Sequence, residues 1–240
     1  MPGMAGSGRE PAAHPRHSPF PLPPGAVIVV LDRWFDGKAM PRKTDRRARI
    51  VDAALRLAAE RGWYGISLAD IAAEARLPML ELYALFRSKT AILEAFHRRL
   101  DEAVLSGGEA EEGERPRDRL FDLLMRRFDA LGPHKPAVKA MAEGAWTDPL
   151  AALAAAPALL DSMIWMLETG GVSASGLAGR LRAKLLLAIY LSVLRVWLAD
   201  ESPDLMKTMA ALDRRLRQAE RWLGLARAGS GAGEPARAEG

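Results

Sequence analysis

From Asp45 onward, apolar residues recur at helical spacing. Ile50, Ala53, Ala54, Leu57 and Ala58 fall at i, i+3, i+4, i+7 and i+8, which predicts a first helix with one apolar stripe that stops at Gly62, a residue suited to the left-handed backbone of a helix end. Trp63 and Ile66 pack the turn. Ser67 with Asp70 three residues on is an N-cap followed by an acidic N3 residue, and Leu68, Ile71, Ala72 and Ala75 continue as a short second helix. Pro78 suits the first turn of a third helix over 79–86, because its missing N–H would lack an intrahelical partner there anyway. Only Arg76 and Leu77 remain as a tight connection between the two. Ser88 caps a longer fourth helix with Ile92, Leu93, Phe96, Leu100 and Val104 on one side.

Beyond a Gly/Glu-rich linker at 107–114, further helices are expected over 116–131, 136–145, 149–168, 179–200 and 203–225. No segment sustains period-two alternation with β-branched enrichment, so the fold class is all-α, with about nine helices. Residues 1–25 and 226–240 have little apolar periodicity and read as disordered tails. Met40, followed by Pro-Arg-Lys-Thr-Asp, looks like the start of a protein and makes 1–39 an upstream extension of the reading frame. The expected units are therefore 1–39, a helix-turn-helix domain at 40–106 (its two short helices at about 67–86) with a linking helix, a C-terminal bundle at 115–225, and the tail 226–240.

Composition removes several functions. Among 240 residues there is no cysteine, hence no disulfide framework, thiolate nucleophile or Cys-rich zinc site. His14, His17, His97 and His134 do not pair at i,i+3 or i,i+4 on one helix, so neither a metal nor a cofactor is expected. No histidine lies near a serine or an acid at a recognisable motif spacing, which makes an enzyme the least supported class. The longest uncharged apolar run, 185–194 between Lys184 and Arg195, has about half the length of a bilayer span. A soluble, cytoplasmic protein is expected.

The net charge of +4 is unevenly placed. Residues 40–106 hold 12 basic and 9 acidic side chains, whereas 107–225 are balanced. Arg42, Lys43, Arg46, Arg47 and Arg49 meet only Asp45. Such a cluster either contacts phosphate or anionic lipid, or forms the solvated first turn of a helix.

Ile50, Ala53, Ala54, Gly62, Ser67, Asp70-Ile71-Ala72, Ala75, Leu82-Tyr83, Phe86 and Ser88-Lys89 closely resemble the DNA-binding domain of the TetR family of repressors, over about a fifth of the chain. The resemblance implies an all-helical homodimer whose first three helices bind double-stranded DNA, and whose larger C-terminal bundle dimerises and encloses a small ligand. It implies that helix 79–86 enters the major groove, that Tyr83 and Lys89 hold phosphates, and that the basic run reaches the flanking backbone. Ser67 lies at the N-terminus of the second helix, where backbone amides favour an anion. The expected DNA-contacting set is Arg42, Lys43, Arg46, Arg47, Ser67, Met79, Glu81, Tyr83 and Lys89. Tyr83 and Phe86 can equally serve the core, and Lys89 a solvated helix start.

The reading helix departs from the family's habit. It offers Met79, Leu80, Glu81, Ala84 and Leu85, where base edges are usually met by Arg, Lys, Asn, Gln, Ser or Thr. Glu81 can accept from cytosine N4, but its charge opposes approach to phosphate. Arg76 replaces the usual turn glycine, which a positive φ would favour. Direct readout is expected to be poor: specificity rests on a few contacts, or the head has lost DNA binding.

In the C-terminal half, Met141, Trp146, Met163, Trp165, Met166, Tyr190 and Trp197 either line a cavity for an apolar effector or lipid or are ordinary core. Arg117-Asp118-Arg119-Leu120, Pro133-His134-Lys135, Ala137-Val138, Ala188, Tyr190, Trp197, 200–204, Thr208 and 212–216 resemble the lipid-binding accessory protein of coenzyme Q biosynthesis, more loosely and over about a hundred residues. That family has a TetR-like fold without evident DNA reading and presents isoprenoid lipid to a hydroxylase. Helix 203–225 sets Leu205, Met206, Met209, Leu212, Leu216, Trp222 and Leu223 beside Arg214, Arg215, Arg217 and Arg221, a pattern shared by membrane-surface helices and dimer elements. The TetR resemblance implies dimerisation through 179–200 and 203–225, with membrane contact only if the chain is a lipid carrier. Two readings follow: a ligand-responsive TetR-like regulator, or a TetR-fold isoprenoid-lipid carrier for ubiquinone synthesis.

Overall fold

Helix α1 (Lys43–Arg61) buries Ile50, Val51, Ala53, Ala54, Leu55, Leu57 and Ala58 and ends at Gly62, whose φ is +78°. It opens the part of the computed structural model that is described, residues 43–108, 113–145 and 149–223, all within the unit Lys43–Gly240. The expected tails and the 1–39 extension lie outside the described residues. After α1 come α2 (Leu68–Glu74), α3 (Met79–Leu85), α4 (Lys89–Leu105), α5 (Pro116–Leu131), a 3-10 turn (Gly132–His134), α6 (Lys135–Gly144), α7 (Pro149–Thr169), α8 (Gly176–Ala199) and α9 (Met206–Leu223). Among the described residues there is no strand, and the fold is all-α as the periodicity predicts.

Two helices begin three residues away from their expected starts, for local reasons. α8 starts at Gly176 rather than 179, because extended Ser175 precedes a glycine at φ +66° and the Ser175 carbonyl already accepts from Gly179 N–H. α9 starts at Met206 rather than 203. Leu205 sits in the left-handed region at φ +52°, and the buried Asp200 carboxylate accepts from Thr208 N–H at 2.9 Å, Thr208 Oγ1 at 2.8 Å and the Ser202 hydroxyl at 2.5 Å. Those hydrogen bonds, led by that from Ser202, hold the Asp200 carboxyl below the usual carboxylate range. Lys135 Nζ donates to the Asp200 carbonyl at 2.6 Å, tying α6 to the same turn.

α1 lies against α2, α4 and α6; α4 packs on α5 and α7; and α8 packs on α7 and α9. The apolar stripe of α5, Leu120, Leu123, Leu124, Phe128 and Leu131, is interrupted by Arg127, which is fully buried. Its guanidinium donates to Asp101 of α4 and, at 3.3 Å, to Ser162 Oγ of α7; it lies 3.4 Å from His97 Nδ1 and 5.6 Å from the Tyr190 ring of α8. Ser162 Oγ in turn donates to Asp101 at 2.8 Å. One buried charge thus gathers four helices, as buried charges require partners.

Two outcomes follow. Arg76 occupies φ +53°, so Arg76→Gly should raise stability by about 1 kcal/mol, a shift of roughly 2–4 °C in a thermal melt. Burial, reinforced by Arg127, pushes the His97 imidazole down to about 3. The unfolded chain therefore takes up a proton at this position near pH 6.5, and the folded protein only near pH 3. Stability present above pH 6.5 should be lost on acidification at a slope of about 1.4 kcal/mol per pH unit. His134, lowered by burial and by Arg99, adds in the same direction. Denaturant unfolding at pH 6.5 and 4.5 should show the His97→Gln variant to be less pH-dependent than the parent.

Candidate nucleic-acid interface

The two short helices are built by local signals. Ser67 caps α2: its Oγ accepts from Asp70 N–H at 3.1 Å, while Asp70 Oδ2 accepts from Ser67 N–H at 2.8 Å. These bonds, chiefly from Ser67, lower the Asp70 carboxyl. Arg76 then turns the chain in the left-handed region, Leu77 N–H bonds back to the Ala72 carbonyl, and α3 begins after Pro78. Leu82 and Phe86 are buried and seat α3 on the core.

The basic run of α1 faces these helices. Arg46 Nη1 pairs with Glu81 Oε2 at 3.2 Å. Arg47 Nη1 donates to the Leu85 carbonyl at 3.1 Å and its guanidinium lies 4.3 Å from the Phe86 ring centre. Arg49 Nη2 donates to the Ala75 carbonyl at 2.7 Å. Lys89, at the start of α4, donates to the carbonyls of Trp63 at 2.7 Å and Ile66 at 2.8 Å, and burial lowers its pKa. Arg46, Arg47 and Lys89 therefore have protein partners, and their first role is to hold the helix-turn-helix. Lys43 is exposed, and Arg42 lies outside the described residues.

Outward, α3 shows Met79, 46% exposed, Leu80, 78%, and Tyr83, 55%, with Ala84 beside them. The charge expected to repel phosphate, that of Glu81, is matched by Arg46. Arg76 and Arg87 flank the helix, exposed, with no side-chain hydrogen bond or ion pair among the described residues. The sequence reading did not single out Arg76 and Arg87 as exposed cations; their places, in the turn before α3 and just past its C-cap Phe86, are the signal that finds them.

Residues 50–96 match the family model for bacterial regulatory proteins of the tetR family, and residues 182–222 match that for COQ9. A TetR transcriptional regulator from Nitrosomonas europaea is 27% identical, with a TM-score of 0.58 over 73% of this chain and 98% of its own. The fold is TetR-like. A TetR transcriptional regulator from Rhodococcus sp. RHA1 (20% identity, TM-score 0.54, 72% and 94% coverage) and a tetR-family transcriptional regulator from Streptomyces coelicolor (18%, 0.51, 77% and 87%) share the fold. No curated protein matches the chain.

In the bundle behind this TetR-like head, the residues expected at a ligand pocket are dispersed. Met163, Met166, Tyr190 and Trp197 are buried core, with Phe128 stacked on Tyr190 at 5.5 Å and 5.9 Å from Trp197. Met141 is half-buried on α6, Trp165 is 62% exposed, and Trp146 lies outside the described residues. Trp165 and Met166 border a narrow cleft with Asp101 and Ser162. There Ser162 Oγ donates to Asp101 at 2.8 Å and accepts from Arg127, so its hydroxyl is engaged in the buried cluster that joins α4, α5 and α7. A larger cleft of about 240 Å³ runs between α5 and α9, lined by Arg117, Asp118, Phe121, Asp122, Asp213 and Leu216.

The geometry separates two variants. Lys89→Met removes two charge-assisted bonds from carbonyls and should destabilise the protein by about 1–3 kcal/mol in denaturant unfolding. Tyr83→Ala, on an exposed side chain, should leave stability within about 0.5 kcal/mol.

Proposed function

We propose that the chain is a DNA-binding transcriptional regulator that acts in the cytoplasm as a homodimer, with residues 40–106 as its DNA-binding head and 115–225 as a ligand-responsive dimerisation body. The observation that carries this reading is α3 itself: seated by Leu82 and Phe86, it turns an uncharged face outward between two exposed arginines, in a segment that matches the tetR-family model. Lys43, Arg76, Arg87 and the Tyr83 hydroxyl are the groups that reach phosphate. Dimerisation through α8 and α9 is supported by exposed Leu177, Leu181 and Leu191 on one helix and Met206, Met209 and Trp222 on the other. An apolar effector or lipid is the favoured ligand of the body, held near Trp165 and Met166. The match of 182–222 to COQ9 favours a second reading, a carrier of isoprenoid lipid that contacts membranes and no DNA.

Among the described residues no helix is long and apolar enough to cross a membrane, which suits either reading. A regulator should bind duplex DNA from its own upstream region as a dimer, with affinity falling at least about tenfold between 50 and 200 mM salt. Tyr83→Ala should weaken that binding by about tenfold at unchanged stability. Native mass spectrometry showing a monomer, or a lipid-loaded protein indifferent to DNA, would overturn the regulator reading.

A further inference from the structure

We propose that α3 reads thymine: its outward side chains contact C5-methyl groups in the major groove, so the preferred DNA is set by where T·A pairs fall. This inference rests on the DNA-binding reading above. In the major groove guanine, cytosine and adenine are told apart by hydrogen-bond donors and acceptors, whereas thymine adds a methyl group that only an apolar side chain rewards. Met79, Leu80, Tyr83 and Ala84 span an arc of about 140° on α3, opposite buried Leu82. That arc carries no Arg, Lys, Asn or Gln to fork onto guanine or adenine.

The one carboxylate of α3, Glu81, is half-buried outside that arc and its Oε2 is paired with Arg46 at 3.2 Å, which turns the charge toward α1 rather than toward the outward face. The free cations, Arg76 and Arg87, stand before and after the helix, where they meet phosphate rather than base edges. With the Tyr83 hydroxyl given to phosphate, what Met79, Leu80 and Ala84 distinguish by chemistry is the presence or absence of a methyl group. Leu80 is the principal reader, being the most exposed large apolar side chain of the protein's described part. Because it is so exposed, its replacement does not disturb the core.

The test uses the full chain to select duplexes from a randomised pool, followed by replacement of each selected thymidine with deoxyuridine, which pairs identically but lacks the methyl. Contacted positions should each lose about fourfold in affinity, the value of one buried methyl group. Leu80→Ala, with an unchanged melting temperature, should abolish the deoxyuridine penalty at one position and leave the others. Selected sites that bind tightly yet tolerate deoxyuridine throughout would overturn the thymine inference while leaving DNA binding intact. Failure of the folded full chain to enrich any duplex, while it binds anionic lipid vesicles, would overturn both.

Discussion

Two seven-residue helices are too short to persist in water on their own, so α2 and α3 depend on cations donated into the carbonyls at their ends and at the turn before them. Arg49 reaches the carbonyl of Ala75, the C-cap of α2, Arg47 that of Leu85, the last residue of α3, and Lys89 the α1–α2 turn at both Trp63 and Ile66. Each bond is charge-assisted and partly buried, which makes it stronger than an exposed ion pair. The same contacts decide what is left for a partner. With Arg46, Arg47 and Arg49 turned inward, the surface left beside them is the apolar arc of α3, bracketed by Arg76 and Arg87, with Lys43 exposed at the start of α1.

The head is also fastened to the bundle. Arg99 of α4 pairs with Asp52 of α1 at 2.6 Å and lies 3.2 Å from His134 in the 3-10 turn, while Phe96 meets His134 edge-on. A Cβ on Gly144 would stand 2.4 Å from the Tyr64 ring, so α6 approaches the α1–α2 turn as closely as a glycine permits. α4 thus carries Arg99 toward α1 and, on the same helix, Asp101 and His97 toward the buried guanidinium of Arg127. α4 therefore links the Asp52 pair on α1 to the buried Arg127 cluster of the bundle.

Periodicity and caps made the helices legible: the Ser67–Asp70 capping box, the Gly62 stop and the strained Arg76 are local events, and each was readable from a few neighbouring residues. The direction of an arginine is not local. Arg46, Arg47 and Arg49 share a charge and a helix, yet their fates depend on Glu81, Leu85 and Ala75, brought to them only by the tertiary fold. For the same reason composition could not separate pocket from core among Met163, Tyr190 and Trp197: the rings of Tyr190 and Trp197, both on α8, meet Phe128 of α5 only through the tertiary fold. The Arg127 cluster was missed although a signal existed: an arginine at the i+3 and i+7 positions of an otherwise apolar stripe is a buried charge in search of partners.

The most direct measurement of the central claim is amide hydrogen exchange on the full chain, with and without a duplex it binds. If α1's cations hold the helix-turn-helix while α3 faces the DNA, added protection falls on residues 76–87 and the amides of 46–49 exchange as before. Protection gained over 46–49, with 79–85 unchanged, would contradict that arrangement.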